Sequence, residues 1–206
     1  MNVLLWFRSD LRVGNNAALL RAAALGRVLP VHVADPGQWR AAGRSARQWA
    51  FVAESLAGLA ADLTALGLPL VLRCGDSVEV LDRLWRAHRF GHMVSTSVPP
   101  TLAGCATEAR VGDWAAARGI AWERLPALAG GRQATGGGPI LPVAGGAPGT
   151  IVSARALGLA DDPCPHRQAG GRQAGLVLVA RHLAAPGEPA SQPARAPCRP
   201  GGRLAC

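Results

Sequence analysis

Just past a short apolar run, Val3-Leu4-Leu5-Trp6, the chain reads Phe7-Arg8-Ser9-Asp10-Leu11-Arg12, with one aspartate between two arginines. Such a trio forms ion pairs that fix a loop. Beside Phe7 and Leu11 the same groups can also line a crevice for a flat ligand with a polar rim, the ring stacking on the aromatic while the charges bond its edge. Asp35 follows a second apolar run in the same way. Phe7, Arg8, Asp10, Leu11, Arg12 and Asp35 are therefore the candidate ligand-binding residues. If the apolar runs are strands, these residues stand at the carboxyl edge of a sheet, where open α/β folds bind ligands.

Other chemistries find less support. A dinucleotide fingerprint needs glycines in the first turn, and none occurs before Gly14. A P-loop needs a lysine, and all 22 Lys+Arg cations are arginine. Ser9, Ser45, Ser77 and Ser95 lie in no nucleophile elbow. His32 sits inside an apolar strand and reads as a satisfied core residue; His88 and His92 have no evident partner. Cys164-Pro165-His166, with His182 and Cys198, matches no recognised metal spacing, so no metal is expected.

The elements that must position the candidate residues alternate between strand and helix, the pattern of a parallel sheet flanked by helices. Strands are expected at residues 2–6, 28–33, 69–73, 92–95 and 120–122. A helix over 17–24 is opened by Asn15 or Asn16 and closed by Gly26. Ala34-Asp35-Pro36-Gly37 reads as a turn. Over residues 47–66, Trp49, Val52, Leu56, Leu59, Leu63 and Leu66 share one helical face, with Ser45 and Gln48 as capping box and Gly67 as stop. Asp76 with Glu79 opens a helix that buries Leu81, Leu84 and Trp85, and another helix spans 107–118. Five strands and four connecting helices make a doubly wound, five-stranded, Rossmann-like sheet.

Composition shifts near residue 126. All nine aromatic residues precede it, and 25 of the 80 positions from 127 to 206 are Gly or Pro. A segment with so little to bury is expected to stay mostly unstructured. Its run Leu176-Val177-Leu178-Val179 reads as an isolated strand or, more simply, as an unstructured, sticky segment. The domains expected are thus 1–126, folded, and 127–206, a Gly/Pro/Arg-rich tail. The formal net charge of +9 is denser in that tail, where it can add salt-sensitive affinity for DNA. Five cysteines without CxxC spacing suit reduced thiols. With no targeting segment and no apolar run of membrane-spanning length, the chain reads as cytoplasmic, with no membrane partner.

Several stretches, in order and spacing, resemble the photolyase/cryptochrome family. The opening matches its W-F-R-x-D-L-R, and residues 12–19 look like L-R-x-x-D-N-x-A-L. Residues 28–36 are similar to V-L-P-V-F-V-x-D-P, residues 47–56 to R-x-x-F-x-x-E-S-L, and residues 66–81 to L-G-x-x-L-x-x-R-x-G-D-x-x-x-V-L. Three places depart from the pattern. Ser9 stands where arginine is usual, Asn15 replaces an aspartate, and residues 95–101 lack the expected acidic and aromatic side chains. The resemblance implies an N-terminal α/β domain holding an antenna chromophore (a folate, deazaflavin or lumazine) at the sheet edge. It also implies a larger helical domain that binds FAD and damaged DNA. That helical domain has no counterpart after residue 126, so the chain reads as a truncated form without autonomous repair activity, and FAD is not expected to bind it alone. The alternative is a stand-alone chromophore- or nucleotide-binding module that works with a separate FAD-binding polypeptide.

Overall fold

The computed structural model describes residues 1–97, 101–126 and 139–184. Five parallel strands, β1 (Asn2–Trp6), β2 (Arg27–Ala34), β3 (Val71–Cys74), β4 (His92–Thr96) and β5 (Ala121–Leu125), form one sheet in the order β3-β2-β1-β4-β5. The helices described are α1 (Ala17–Leu25), α2 (Pro36–Ala41), α3 (Ala46–Ala65), α4 (Ser77–His88), α5 (Leu102–Ala117) and α6 (Arg172–Ala184). The alternation of strands and helices is the doubly wound sheet it implies. The strand order, which no local pattern exposes, puts β1 at the centre.

Strand alternation builds two cores. Leu4 pairs across the sheet with Leu29 on one side and Met93 on the other, and all three face α4 and α5 with Val80, Leu81, Val111 and Trp114. Val3, Leu5 and Phe7 point the other way, against Ala18 and Leu19 of α1 and Leu56, Leu59 and Leu63 of α3. Both faces of the central strand are buried, as a parallel sheet requires.

The caps form where the sequence places them. Asn16 Oδ1 accepts from Leu19 N at 3.0 Å, Gln48 Oε1 from Ser45 N at 3.1 Å, and Asp76 Oδ1 from Val78 N at 3.0 Å. Gly67, with φ of 73°, turns the chain out of α3.

Three elements differ from expectation. The turn read at Ala34–Gly37 is the start of α2: Asp35 accepts from Gln38 N at 3.0 Å, and Pro36 occupies the first helical position, which needs no N–H. α5 begins at Leu102, five residues earlier than periodicity indicates, because Thr101 Oγ1 caps it through Gly104 N at 3.1 Å. The apolar run 176–179 lies in α6 rather than in a strand.

Residues 139–184, read as part of an unstructured tail, pack on the sheet domain. Val28 donates its N–H to Leu141 O and accepts from Val143 N, at 2.8 and 3.0 Å. β3 pairs with β2 only along Val31–Ala34, so residues 141–143 take the edge that β3 leaves open. Val143 and Leu157, 6% and 0% exposed, complete the two cores, and Trp49 Nε1 donates to Val152 O at 2.8 Å. The remaining tail readings, for 127–138 and 185–206 with Cys198 and Cys206, lie outside the described residues. Among the described residues no helix is long and apolar enough to cross a membrane.

Candidate functional site

After β3 the chain returns to the far side of β1, so the sheet's switch point lies between the carboxyl ends of β1 and β4. Open α/β sheets leave a crevice at that point. A cavity of about 860 Å³ occurs beside it, of a size that suits a small-molecule ligand. Its floor is the stretch Trp6–Arg12 and its back wall is His32 and Val33 of β2. Trp39 of α2 and Phe51, Val52 and Ser55 of α3 form one side, the start of α5 another, and Gly171, Arg172, Leu176 and Val179 a third.

Five of the six residues singled out in the sequence line this cavity. Phe7, 2% exposed, forms part of the aromatic floor next to Trp6. Arg8 forms an ion pair with Glu108 of α5 and lies 4.8 Å from the centre of the Trp6 ring. Arg12 Nε is 2.8 Å from Asp10 Oδ1. Burial pushes the Asp10 carboxyl above its usual range, against the pull of Arg12. Leu11 adds apolar wall. Asp35 is not among the lining residues. It is buried, capping α2 and accepting from Ser77 N and Oγ of α4 at 2.9 and 2.8 Å. Its role is to tie two helix starts to the end of β2.

Several lining residues carry no local signal in the sequence. Arg44, 4.9 Å over the Trp39 ring, and Arg172 add two cations, so four arginines meet one carboxylate, Asp10, among the lining residues. The wall from α6 is held by Glu54 and Ser55, adjacent residues of the helix motif in α3. Glu54 pairs with Arg167 and accepts from Gly170 N at 2.6 Å, and Ser55 Oγ accepts from Gly171 N at 2.9 Å. Those hydrogen bonds hold the Glu54 carboxyl down to about 2. Only glycine fits at 170, because a Cβ there would strike the Phe51 carbonyl.

His32 also differs from its reading as a satisfied core residue. Its Nδ1 lies 2.9 Å from the Phe7 carbonyl, while Nε2, equally buried, has no hydrogen-bond partner among the described residues.

Parts of the chain are similar to known proteins. The chain is 35% identical over 96 residues to a deoxyribodipyrimidine photo-lyase of Salmonella typhimurium, a stretch covering 44% of this chain and 20% of that one. It is 44% identical over 72 residues to cryptochrome-2 of Arabidopsis thaliana, covering 34% and 11%. The chain thus spans about a fifth or less of the length of these relatives. An archaeal photolyase structure from Sulfolobus tokodaii, containing two FAD molecules, has the same fold, with a TM-score of 0.64 at 21% identity over 87% of this chain and 46% of that one. That likeness takes in more of the chain than residues 3–128. Those residues, which hold the sheet and most of the cavity wall, match the DNA photolyase family model, and the chain belongs to that family.

Proposed function

We propose that this α/β domain binds a planar light-absorbing heterocycle, a folate, deazaflavin or lumazine, in the cavity beside the switch point. We propose further that it serves light-dependent DNA repair or blue-light sensing. The observation that carries this reading is the cavity itself: an aromatic floor and a rim of arginines at the ligand edge of a photolyase-family sheet. These residues fit such a group. Trp6, Phe7 and Trp39 bring aromatic side chains to the lining, against which a ring can pack. The surplus arginines, with the N-terminus of α5 at Thr101, favour a ligand with an anionic arm.

When bound, the heterocycle supplies absorption of near-ultraviolet or blue light and passes on the excitation. The chain's own part is to bind, orient and dry it. The loop 7–12 is fixed by the Arg8–Glu108 and Asp10–Arg12 pairs, so the floor is set before the ligand arrives. Leu176 and Val179 of α6 cover the side away from the sheet. FAD and the repair reaction belong, in this reading, to a separate helical part or polypeptide. The apolar residues Val177, Leu178 and Leu183, exposed on α6, favour such a partner, and the chain's net charge of +9 favours DNA nearby.

An absorption spectrum tests the reading. The full chain, purified from a host that makes folate and flavin precursors, is expected to carry a near-ultraviolet or blue band without the structured profile of FAD. Added ligand should quench the tryptophan emission of Trp6 and Trp39. A folded chain that stays colourless and unquenched with folate, flavin and lumazine probes overturns it.

A further inference from the structure

The four arginines that line the cavity fall into two pairs that differ in charge balance. Arg8 is neutralised by Glu108, and Arg12 by Asp10. Arg44 and Arg172 make no ion pair and no side-chain hydrogen bond among the described residues. Two positive charges are therefore left over at the lining. Both are placed by geometry. Arg44 follows α2, and its guanidinium stands 4.9 Å over the ring of Trp39, itself a lining residue. Such stacking holds the flat guanidinium and leaves its N–H edge to an anion. Arg172 opens α6, and residues 172, 175, 176 and 179, which share one helical face, all line the cavity. Its guanidinium lies over Gly14 of the lining, with Nη2 3.9 Å from where a Cβ on that glycine would stand.

A cleft with unbalanced charge of one sign concentrates ligands of the other. Arginine forks match the oxygens of phosphates and carboxylates, and those of Arg8 and Arg12 are already engaged by the chain's own carboxylates. An arm with a single negative charge leaves the lining one charge in surplus, whereas a dianion balances it. We propose that Arg44 and Arg172 bind a doubly negative arm of the ligand, so that the cavity selects dianionic heterocycles over neutral ones. The two charges can sit on one phosphate ester or on two carboxylates. This rests on the cavity being a heterocycle site. Both arginines are exposed, so replacing them leaves the two cores untouched.

The test is a set of fluorescence titrations of the full chain with two pairs of probes. Flavin mononucleotide and riboflavin differ by a phosphate; folate and its dimethyl ester differ by two carboxylate charges. In at least one pair the wild type is expected to bind the dianion about tenfold more tightly than its neutral partner, the size of one charge-assisted hydrogen bond. The pair that responds identifies the source of the charge. Arg44→Gln and Arg172→Gln should each reduce the preference, and the double variant should abolish it. The affinity for the neutral probe and the circular dichroism spectrum should stay as they are. Arg172→Lys, which keeps the charge and loses the fork, should retain part of the preference. Equal binding within both pairs overturns the inference and leaves the heterocycle reading standing, as does a preference that survives in the double variant. Binding of none of the four probes by the folded wild type overturns both. Should the double variant fail to fold, salt decides: the wild-type preference shrinks severalfold at about 0.5 M salt if exposed arginines carry it, and a preference unmoved by salt overturns the inference.

Discussion

At the scale of single residues, Asp35 and His32 both depart from the roles their types imply. Asp35 looks like a ligand contact, yet its two oxygens receive Gln38 N, Ser77 N and Ser77 Oγ, all within 3.0 Å. Asp35→Ala removes a helix cap and leaves the Ser77 amide without its acceptor, so it should cost about 2–4 kcal/mol in urea unfolding. Ser77→Ala, which loses only the hydroxyl bond, should cost about 1 kcal/mol. A ligand-contact role for Asp35 would leave stability nearly unchanged and lower affinity instead. His32 makes a pH prediction. Its unfolded imidazole protonates near 6.5 and the folded one near 4, so between these values the unfolded chain binds more protons. Stability is therefore complete above that window and falls as pH drops through it, by up to about 3 kcal/mol. Urea midpoints measured at neutral and acid pH should show this loss in the wild type and a flatter profile in His32→Phe. Parallel profiles would mean that His32 does not govern the loss. Glu54, held down to about 2, adds a separate loss only at lower pH, below the usual carboxylate range.

At the scale of elements, the cavity's stability depends on how α6 is held. α6 has no buried residue, and Leu176, Val177, Leu178 and Val179 are each 43–55% exposed, so packing alone does not explain its position. Its start is pinned by Glu54 and Ser55 through Arg167, Gly170 and Gly171. Glu54→Ala should therefore speed tryptic cleavage after Arg172 and Arg181 severalfold and weaken ligand binding, while α3 stays intact by circular dichroism. Unchanged cleavage would show that α6 stands without this anchor. The same helix marks the limit of what sequence shows about elements. Helices whose ends are set by their own side chains, at Asn16, Ser45 with Gln48, and Asp76, are legible to within a residue or two. α2 is missed because an Asp-Pro-Gly sequence serves a turn and a helix start equally well. α6 is missed because a run of apolar residues has no helical period and its anchor lies more than a hundred positions upstream.

At the scale of the whole molecule, the crevice is assembled from stretches that are remote in sequence. The floor loop and the four-arginine rim meet only because β1 is central and α3, α5 and α6 converge on its carboxyl end. The floor was legible because its charges follow an apolar strand directly; the remaining walls depend on strand order and on a segment that composition marks as structureless. That segment also bears on where the folding unit ends. The composition change near 126 suggests a boundary there, but residues 139–184 fill the open edge of β2, satisfy Val28 and Trp49, and bury Val143 and Leu157. Burying one valine and one leucine contributes about 1.5–3 kcal/mol each, and each hydrogen bond about 1 kcal/mol. Removing them takes away a large part of the roughly 5–15 kcal/mol that holds a domain together. A piece ending at Pro126 is therefore expected to unfold at much lower urea than the full chain and to bind a hydrophobic dye. Leu157→Ala in the full chain, at a fully buried position, should cost about 2–5 kcal/mol and broaden nothing else in the unfolding curve. If the short piece instead unfolds at the full chain's midpoint, and Leu157→Ala is neutral, the folding unit ends at 126 and the later segment only rests on it.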